Sequence, residues 1–450
     1  MSTQAGRDAA RPIDLVPWSR LGLMAAYWFG INAVWGAYEG FGQKQVELIV
    51  GQGSTGTTLG LLELLGALVA IAVQPTVGTI SDHTTSRFGR RKGYILAGAS
   101  FDLVAITGFA LIAMDEPRGW DGAALGSGCL LLLYGALLVA LQLSSNIAQG
   151  PYQGFVPDLV AEPQVGVASG LIGVMRTTGV IAGFGVMALG AASGAWGAAF
   201  LVVGVIQLLL AMATFRWVPD GPPGLPREGR SWASIARGAW EPDILRERSF
   251  LLMTAVRLLF LMGTGAFINL SLLYVERAFG VEDEGARSAW WFAALIAALG
   301  GTIAAALPAA RLSDRLGRKP VAWLACGLAA VGTLVIAVAP TLPVALAGAL
   351  LFGAGSGAYL AVDWALMSDI IPLASAGRYM GVANIANAIA GPLALLLVGP
   401  VMDAFTRAGE PALGPRVAVG LGVVALGLAA VLLIGVRTRR GPDASGDAAA

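Results

Sequence analysis

Charge is what this sequence has least of. Only 13% of its 450 residues are Asp, Glu, Lys or Arg, against about 25% in a soluble domain. The deficit runs the whole length, and 56% of the residues are hydrophobic, so the chain reads as a polytopic membrane protein. Histidine occurs once, at His83, which largely excludes His-based catalysis and His-rich metal sites. The two cysteines, Cys129 and Cys326, lie in separate apolar runs. They give neither a disulfide framework nor a metal site. The G-xxxx-GK-[ST] phosphate loop is missing, which argues against ATP-driven transport by this chain alone. With no nucleophile–base pair in view, no enzymatic activity and no cofactor are expected. A net charge of +1 offers no basis for a nucleic-acid partner.

What is present is long and apolar. Runs able to span a bilayer fall at 21–40, 57–81, 93–113, 124–148, 167–190 and 195–215. Six more fall at 250–275, 288–310, 321–340, 343–370, 379–402 and 416–436. Apolarity all round these runs excludes transmembrane strands, which alternate. The expectation is an all-α membrane protein of twelve transmembrane helices in two six-helix halves, 21–215 and 250–436. The polar segment 1–20 precedes them and reads as leading into an uncleaved signal anchor. A Pro/Gly-rich loop with a short surface helix, 216–249, divides the halves. The tail 437–450 reads as disordered. Lys and Arg concentrate on one side, at Arg87–Lys92, Arg216–Arg248 and Arg311–Lys319, so both termini are expected to be cytoplasmic.

Polar material concentrates between two apolar runs in "GTISDHTTSRFGRRKGY", residues 78–94, and a shorter echo returns as "ARLSDRLGRKP" at 310–320. Basic residues there are ordinary positive-inside anchors. An acid placed ahead of them in both halves, Asp82 and Asp314, is not explained that way. A second pair of landmarks, Asp158 with Gly170 and Asp369 with Gly381, repeats at one offset. Parallel repeats of this kind belong to rocking transporters.

The twin pattern carries a resemblance. Gly78, Asp82, Gly89, Arg90 and Arg91, followed by Asp314, Gly317, Arg318 and Lys319, resemble the paired loop motif of the major facilitator superfamily. The long insert "DHTTSRFGRRK", with "NIAQGPYQGFVPDLV" and "YLAVDWALMSDIIP", is similar to the branch holding sucrose transporters and glycoside–pentoside–hexuronide cation symporters. Ala310, His83 and Gly93 depart from that pattern. The resemblance covers roughly 20–436. It implies a gating network at the cytoplasmic end built from Asp82, Arg90, Arg91, Asp158, Asp314, Arg318 and Asp369.

Charged groups inside spans are expensive and are read first as functional. Asp102 and Arg176 fall near the bilayer midplane, about 13 Å from a cytoplasmic end at 1.5 Å per residue. Arg257 and Asp363 sit slightly shallower, and Glu39 and Glu63 lie towards the outer ends. Asp363 with Arg257 is the first candidate for ion coupling, because the resemblance places their helices around the cavity. Asp102 with Arg176 is the second, and Glu39 a further candidate. Gln142, Asn146, Gln149 and Gln153 share one helix face. Asn32, Trp35 and Glu39 form a second stripe, and Ser356, Tyr359 and Asp363 a third. Amides suit a polyhydroxylated ligand, and Trp28, Trp35 and Trp364 offer rings to stack on it. The bland alternative is that these residues bond neighbouring helices.

The expectation is a monomeric secondary transporter of the inner membrane working by alternating access. A small-molecule sugar or glycoside moves with a coupling cation, H+. Two other readings stay open: efflux of an amphipathic compound, and a non-transporting sensor or assembly factor on the same scaffold. The run 167–190 lacks the Gly-Pro pair of many drug antiporters, which counts against efflux.

Overall fold

The structure, a computed structural model, describes residues 15–114, 127–161, 164–220, 226–227, 229–237, 248–370 and 376–436. The segment 1–14, Trp240 and the tail 437–450 lie outside them, as do the side chains of Asp314, Trp364 and Asp369.

The described residues form helices alone. The long ones are α1 (Trp18–Val50), α2 (Thr55–Asp82), α3 (Lys92–Met114), α4 (Ser127–Gln153), α6 (Val165–Ala192) and α7 (Trp196–Trp217). After a short α8 (Trp232–Arg237) come α9 (Arg248–Ile268), α11 (Glu284–Leu316), α12 (Arg318–Val338), α13 (Leu342–Ile370), α14 (Ala376–Arg407) and α15 (Leu413–Ile434). Two further short helices are α5 (Phe155–Leu159) and α10 (Ser271–Phe279). Eleven of the described helices are long and apolar enough to cross a membrane. The twelfth long helix, α1, has ample length at 33 residues, but Tyr27, Asn32, Tyr38 and Glu39 dilute its apolar run. Exposed side chains such as Leu61, Leu111, Leu132, Leu189 and Val431 cover the outside of the bundle with hydrocarbon, which only a lipid environment accommodates.

One expected span is corrected. The run 250–275 is not continuous: α9 stops at Ile268, and α10 starts at Ser271. At the break Asn269 turns its amide back to the Gly265 carbonyl, 2.9 Å away, competing with the helical backbone as Asn does.

The two copies of the loop motif share a backbone device. Gly89 and Gly317 both adopt φ +89°, a region L side chains rarely enter. Each glycine turns the chain so that the next helix begins within three residues. At the first copy the central segment closes over the turn. A Cβ on Gly89 would lie 1.3 Å from Asp220 Oδ2, Arg230 Nη2 is 3.3 Å from His83 Nε2, and Phe88 meets Phe215 at 6.0 Å. This end of the bundle, with its arginines, is called the basic end below; the opposite one is the far end.

Small residues set the helix spacing. On α6, a Cβ on Gly179 or Gly183 would strike the Phe29 or Ala33 carbonyl of α1 at 2.4 and 2.1 Å. On α13, Gly353 and Gly357 meet the α11 backbone at 1.8 and 2.1 Å in the same sense. The matching α1–α6 and α11–α13 seams, built on Gly-xxx-Gly pairs, lie one in each half.

Candidate functional site

At the basic end, the first motif is a closed charge cluster. Arg90 Nη2 and Arg91 Nε reach the two oxygens of Asp158, each at 2.5 Å. Arg91 Nη2 also donates to Asp82 at 2.9 Å and Nη1 to the Pro151 carbonyl at 3.3 Å. The two arginines are buried. Gly154 makes room for them, since a Cβ there would sit 2.1 Å from the Arg91 guanidinium. The second copy differs where it is described. Lys319 Nζ donates to the carbonyls of Ile434 and Val436, both at 2.9 Å, a cation closing the C-terminus of α15. Arg318 is exposed.

Within the second half, Arg257 Nη2 of α9 meets Asp363 Oδ2 of α13 at 2.9 Å, the side chains 2% and 0% exposed. Tyr359, one turn earlier on α13, is fully buried and stacks on Phe260 with centroids 3.7 Å apart. The structure therefore joins Asp363 to Arg257 as the sequence suggests, but seals the pair and Tyr359 inside packed helices.

The second expected pair is not formed. Asp102 of α3 accepts hydrogen bonds from Ser144 Oγ of α4 and from Gln207 Nε2 of α7 at 2.8 Å. Arg176 of α6 instead lies over the Trp28 ring of α1, its Cζ 5.2 Å from the centroid. The reason is helix order: α3 packs between α4 and α7, whereas α6 packs along α1.

The polar stripe of α4 is on one face, yet its amides largely bond within their own helix. Asn146 Nδ2 donates to Gln142 O at 2.8 Å and Oε1 at 3.2 Å, and Gln149 Nε2 to Ser145 Oγ at 3.1 Å. Asn32 likewise donates to the Trp28 carbonyl at 2.8 Å. These bonds stay within one helix and do not link neighbouring helices. Trp35 meets Tyr38 edge-on at 5.9 Å. Tyr134 donates to Tyr38 at 3.3 Å, and Glu63 lies beside the Tyr38 hydroxyl. Glu39 is half-buried on the same α1 turn.

A cavity of about 380 Å³ opens towards the basic end. Leu21, Met24 and Trp28 of α1, Tyr152 and Gln153 of α4, and Ala168 and Ile172 of α6 are among its lining residues. Tyr152 is the hub of its aromatic wall, with Tyr27, Trp28 and Phe155 at 5.0, 5.4 and 5.7 Å.

Sequence reasoning missed the far end. Glu47 of α1 binds Arg277 of α10 at 2.5 Å, and Lys44 reaches Glu276 at 3.5 Å. Gln43 Oε1 accepts from the backbone of Leu272 at 3.2 Å. Asp403 of α14 accepts from the backbone N–H groups of Gly56 and Thr57, at 2.9 and 2.7 Å. Trp196 Nε1 donates to Glu284 at 2.7 Å. All of these join the first half to the second. The signal available was charge: "KQVE" at 44–47 and "ER" at 276–277 place opposite charges where the bilayer ends. Glu47 is mostly buried, which raises a carboxyl's proton affinity, but Lys44 and Arg277 outweigh that and hold it below the ordinary carboxylate range.

Comparisons with known proteins agree with this architecture. The sucrose transport protein SUC3 of Arabidopsis thaliana is 27% identical over 182 residues, covering 35% of this chain and 30% of that protein. The chain therefore spans about a third of the curated relative it matches. Among solved structures, a bacterial homologue of the human lysosomal transporter Spinster, in an inward-facing and occupied conformation, superposes with a TM-score of 0.69. It is 15% identical and covers 94% of this chain and 98% of that one. The D-xylose–proton symporter gives 0.65 at 15% identity, covering 90% and 95%. These likenesses establish the fold. The model of the Major Facilitator Superfamily matches residues 21–395, and with the paired glycine turns and the repeated helix seams in place, the chain belongs to that superfamily of transporters.

Proposed function

We propose that the protein is a secondary transporter of the inner membrane that takes up a sugar or glycoside together with a proton by alternating access. The observation that carries this reading is an asymmetry. Among the described residues, the hydrogen bonds and ion pairs joining the halves gather at the far end, through Glu47–Arg277 and Asp403 on α2, while a cavity opens towards the basic end. By the positive-inside rule the basic end is cytoplasmic, so the molecule is poised inward-facing.

In this reading Asp363 is the coupling acid. A carboxylate buried against one arginine changes its proton affinity when a helix movement withdraws that partner. Arg90 and Arg91 with Asp82 and Asp158 form the cytoplasmic latch of the first half, and Asp314, Arg318 and Asp369 its counterpart. Asn32, Trp35, Gln142, Asn146 and Gln149 face the substrate when a sugar hydroxyl displaces one of their intrahelical bonds. Glu39 is a secondary proton site, and the transport unit is one chain in the lipid bilayer. The likeness to sucrose transport proteins and to a D-xylose–proton symporter supports the substrate class.

Uptake by proteoliposomes across a panel of mono- and disaccharides, with and without an imposed pH gradient, tests it. Accumulation that follows the gradient for one member is expected. Equal uptake with and without the gradient for every transported sugar overturns the coupling; no uptake of any sugar overturns the substrate class.

A further inference from the structure

Arg176 is left without a task by the reading above. It lies three turns into α6, near the bilayer midplane, where a guanidinium is costly unless something compensates it. The acid expected to do so, Asp102, is committed to Ser144 and Gln207. Among the described residues no carboxylate forms an ion pair with Arg176; its close contact is the face of Trp28. A cation over an indole face gains about 0.5–2 kcal/mol, well short of an ion pair in a desolvated site.

Arg176 also points the right way to be reached. At 100° per residue, Val174, Thr178 and Leu189 share one side of α6, and all three are exposed, so that side faces lipid. Arg176 lies on the opposite side, close to Gly179 and Gly183, which pack on α1. It is nevertheless exposed. Arg176 is not itself among the residues lining the internal cavity; it adjoins that cavity through Trp28, which is. Ala168 and Ile172, two turns and one turn before it on the same face, line that cavity, as does Trp28 beneath its guanidinium.

We propose that Arg176 is the anion-binding residue of the transport site, and that the substrate carries a carboxylate or comparable monoanionic group next to a ring. The anion meets the guanidinium held over Trp28. The ring packs on the aromatic wall of Tyr152 and Phe155, and Gln153, exposed at the cavity mouth, bonds its hydroxyls. The proposal narrows the substrate class given above and depends on that reading only for the sugar part of the ligand. A lipid headgroup is disfavoured as the occupant because the residue turns its back on the lipid face.

The test is binding to the full-length protein in vesicles, read by tryptophan fluorescence, with two matched probe pairs: phenyl glucoside against phenyl glucuronide, and benzyl alcohol against benzoate. The wild type is expected to prefer the charged member of at least one pair about 10- to 100-fold, the worth of one charge-assisted hydrogen-bonded contact. R176Q is expected to erase that preference and R176K to keep part of it, which separates a charge role from a folding defect. Equal affinity within both pairs in the wild type overturns the proposal, and so does a preference that survives in R176Q. Preference for benzoate without binding of either glycoside sinks the sugar reading and leaves the anion site standing. Glycosides bound without preference, with benzoate and benzyl alcohol also equal, do the reverse. Vesicles with and without phosphatidylglycerol complete the set: competition between that lipid and the charged probe makes the lipid the occupant and overturns the assignment.

Discussion

Glu47 and Arg277 lie 230 residues apart in sequence and 2.5 Å apart in space, each from a different half. Both are buried, and Lys44 and Glu276 extend the pair into a small network. Removing one partner of a buried pair strands the other, at about 3–5 kcal/mol. Opening the far end exposes both groups to water, so E47Q is expected to favour the opened state. A cysteine placed one turn inside the far end is expected to react about tenfold or more faster with an impermeant thiol reagent. The charge-reversed double variant E47R/R277E restores slow labelling. Unchanged labelling in E47Q removes this pair from the gate.

The same pair gives a pH dependence of known sign. The Glu47 carboxyl is held below its ordinary range by Lys44 and Arg277. Its contribution to far-end closure is therefore complete above about pH 4.3, the free glutamate value, and fades only as pH falls through the depressed folded value. Labelling of the far-end cysteine is expected to be flat from neutrality to mild acid and to rise below that. A transition near neutrality assigns the gate to another group.

Asp403 holds the far end by a different means. Its carboxylate accepts two backbone N–H groups in the first turn of α2, the position where a helix N-terminus favours an anion. The contact exists because Gly56 and Gly399 let the helices touch: a Cβ on either would meet the other's backbone at 2.7 and 2.2 Å. D403N is expected to weaken closure by about 0.5–2 kcal/mol, read as faster far-end labelling. G399A pushes the helices apart and gives a larger effect in the same direction. Slower labelling in either variant contradicts this account.

Much of this was legible in sequence, for physical reasons. The span count follows from hydrocarbon length, and the repeated Gly-Arg-basic triplet marks a turn that only glycine accepts, which is why Gly89 and Gly317 share one φ. Asp158 and Arg91 were brought into one network by the resemblance, and they pair because α5 follows α4 directly and returns to the same turn. Asp363 and Arg257 were singled out because charges are rare in such helices, and were put together because the resemblance places their helices around one cavity. Lateral order was not readable. Nothing local to Asp102 or Arg176 says that α3 and α6 are not neighbours, and nothing near Gly56 announces Asp403, 347 positions away. The break at Asn269 was hidden by an apolar run that hydropathy alone reads as continuous.

Asp363 and Arg257 are sealed at 0% and 2% exposure, so the two single neutralisations differ in kind. D363N leaves a buried guanidinium with an amide oxygen to bond and removes the titrating group. Gradient-driven accumulation is expected to vanish, with counterflow exchange retained within severalfold. R257Q strands a buried carboxylate, at about 3–5 kcal/mol if it stays ionised, so it takes up a proton and holds it. Coupled transport is lost, and expression falls further than in D363N. Restored expression without accumulation in D363N/R257Q separates the packing role from the coupling role. Accumulation persisting in D363N moves the coupling proton elsewhere.

Asp102 is the place it would move to, and its surroundings predict otherwise. It is fully buried, and its neighbours are neutral: Ser144 and Gln207 donate to its two oxygens, and the Gln207 carbonyl oxygen is buried without a partner. An asparagine fits this arrangement: its oxygen accepts from Ser144 and its amide donates to a flipped Gln207. D102N is therefore expected to keep at least half of wild-type accumulation and the same dependence on the imposed pH gradient. D102A leaves Gln207 Nε2 unsatisfied in a dry site, at about 1–3 kcal/mol, while Ser144 Oγ keeps the Ala140 carbonyl at 2.8 Å, and is expected to lower thermal stability in detergent with little change in the pH dependence of the protein that remains. The coupling role passes from Asp363 to Asp102 if D102N uncouples transport while D363N does not. Measured side by side in the same vesicles, the two asparagine variants decide which buried acid carries the proton.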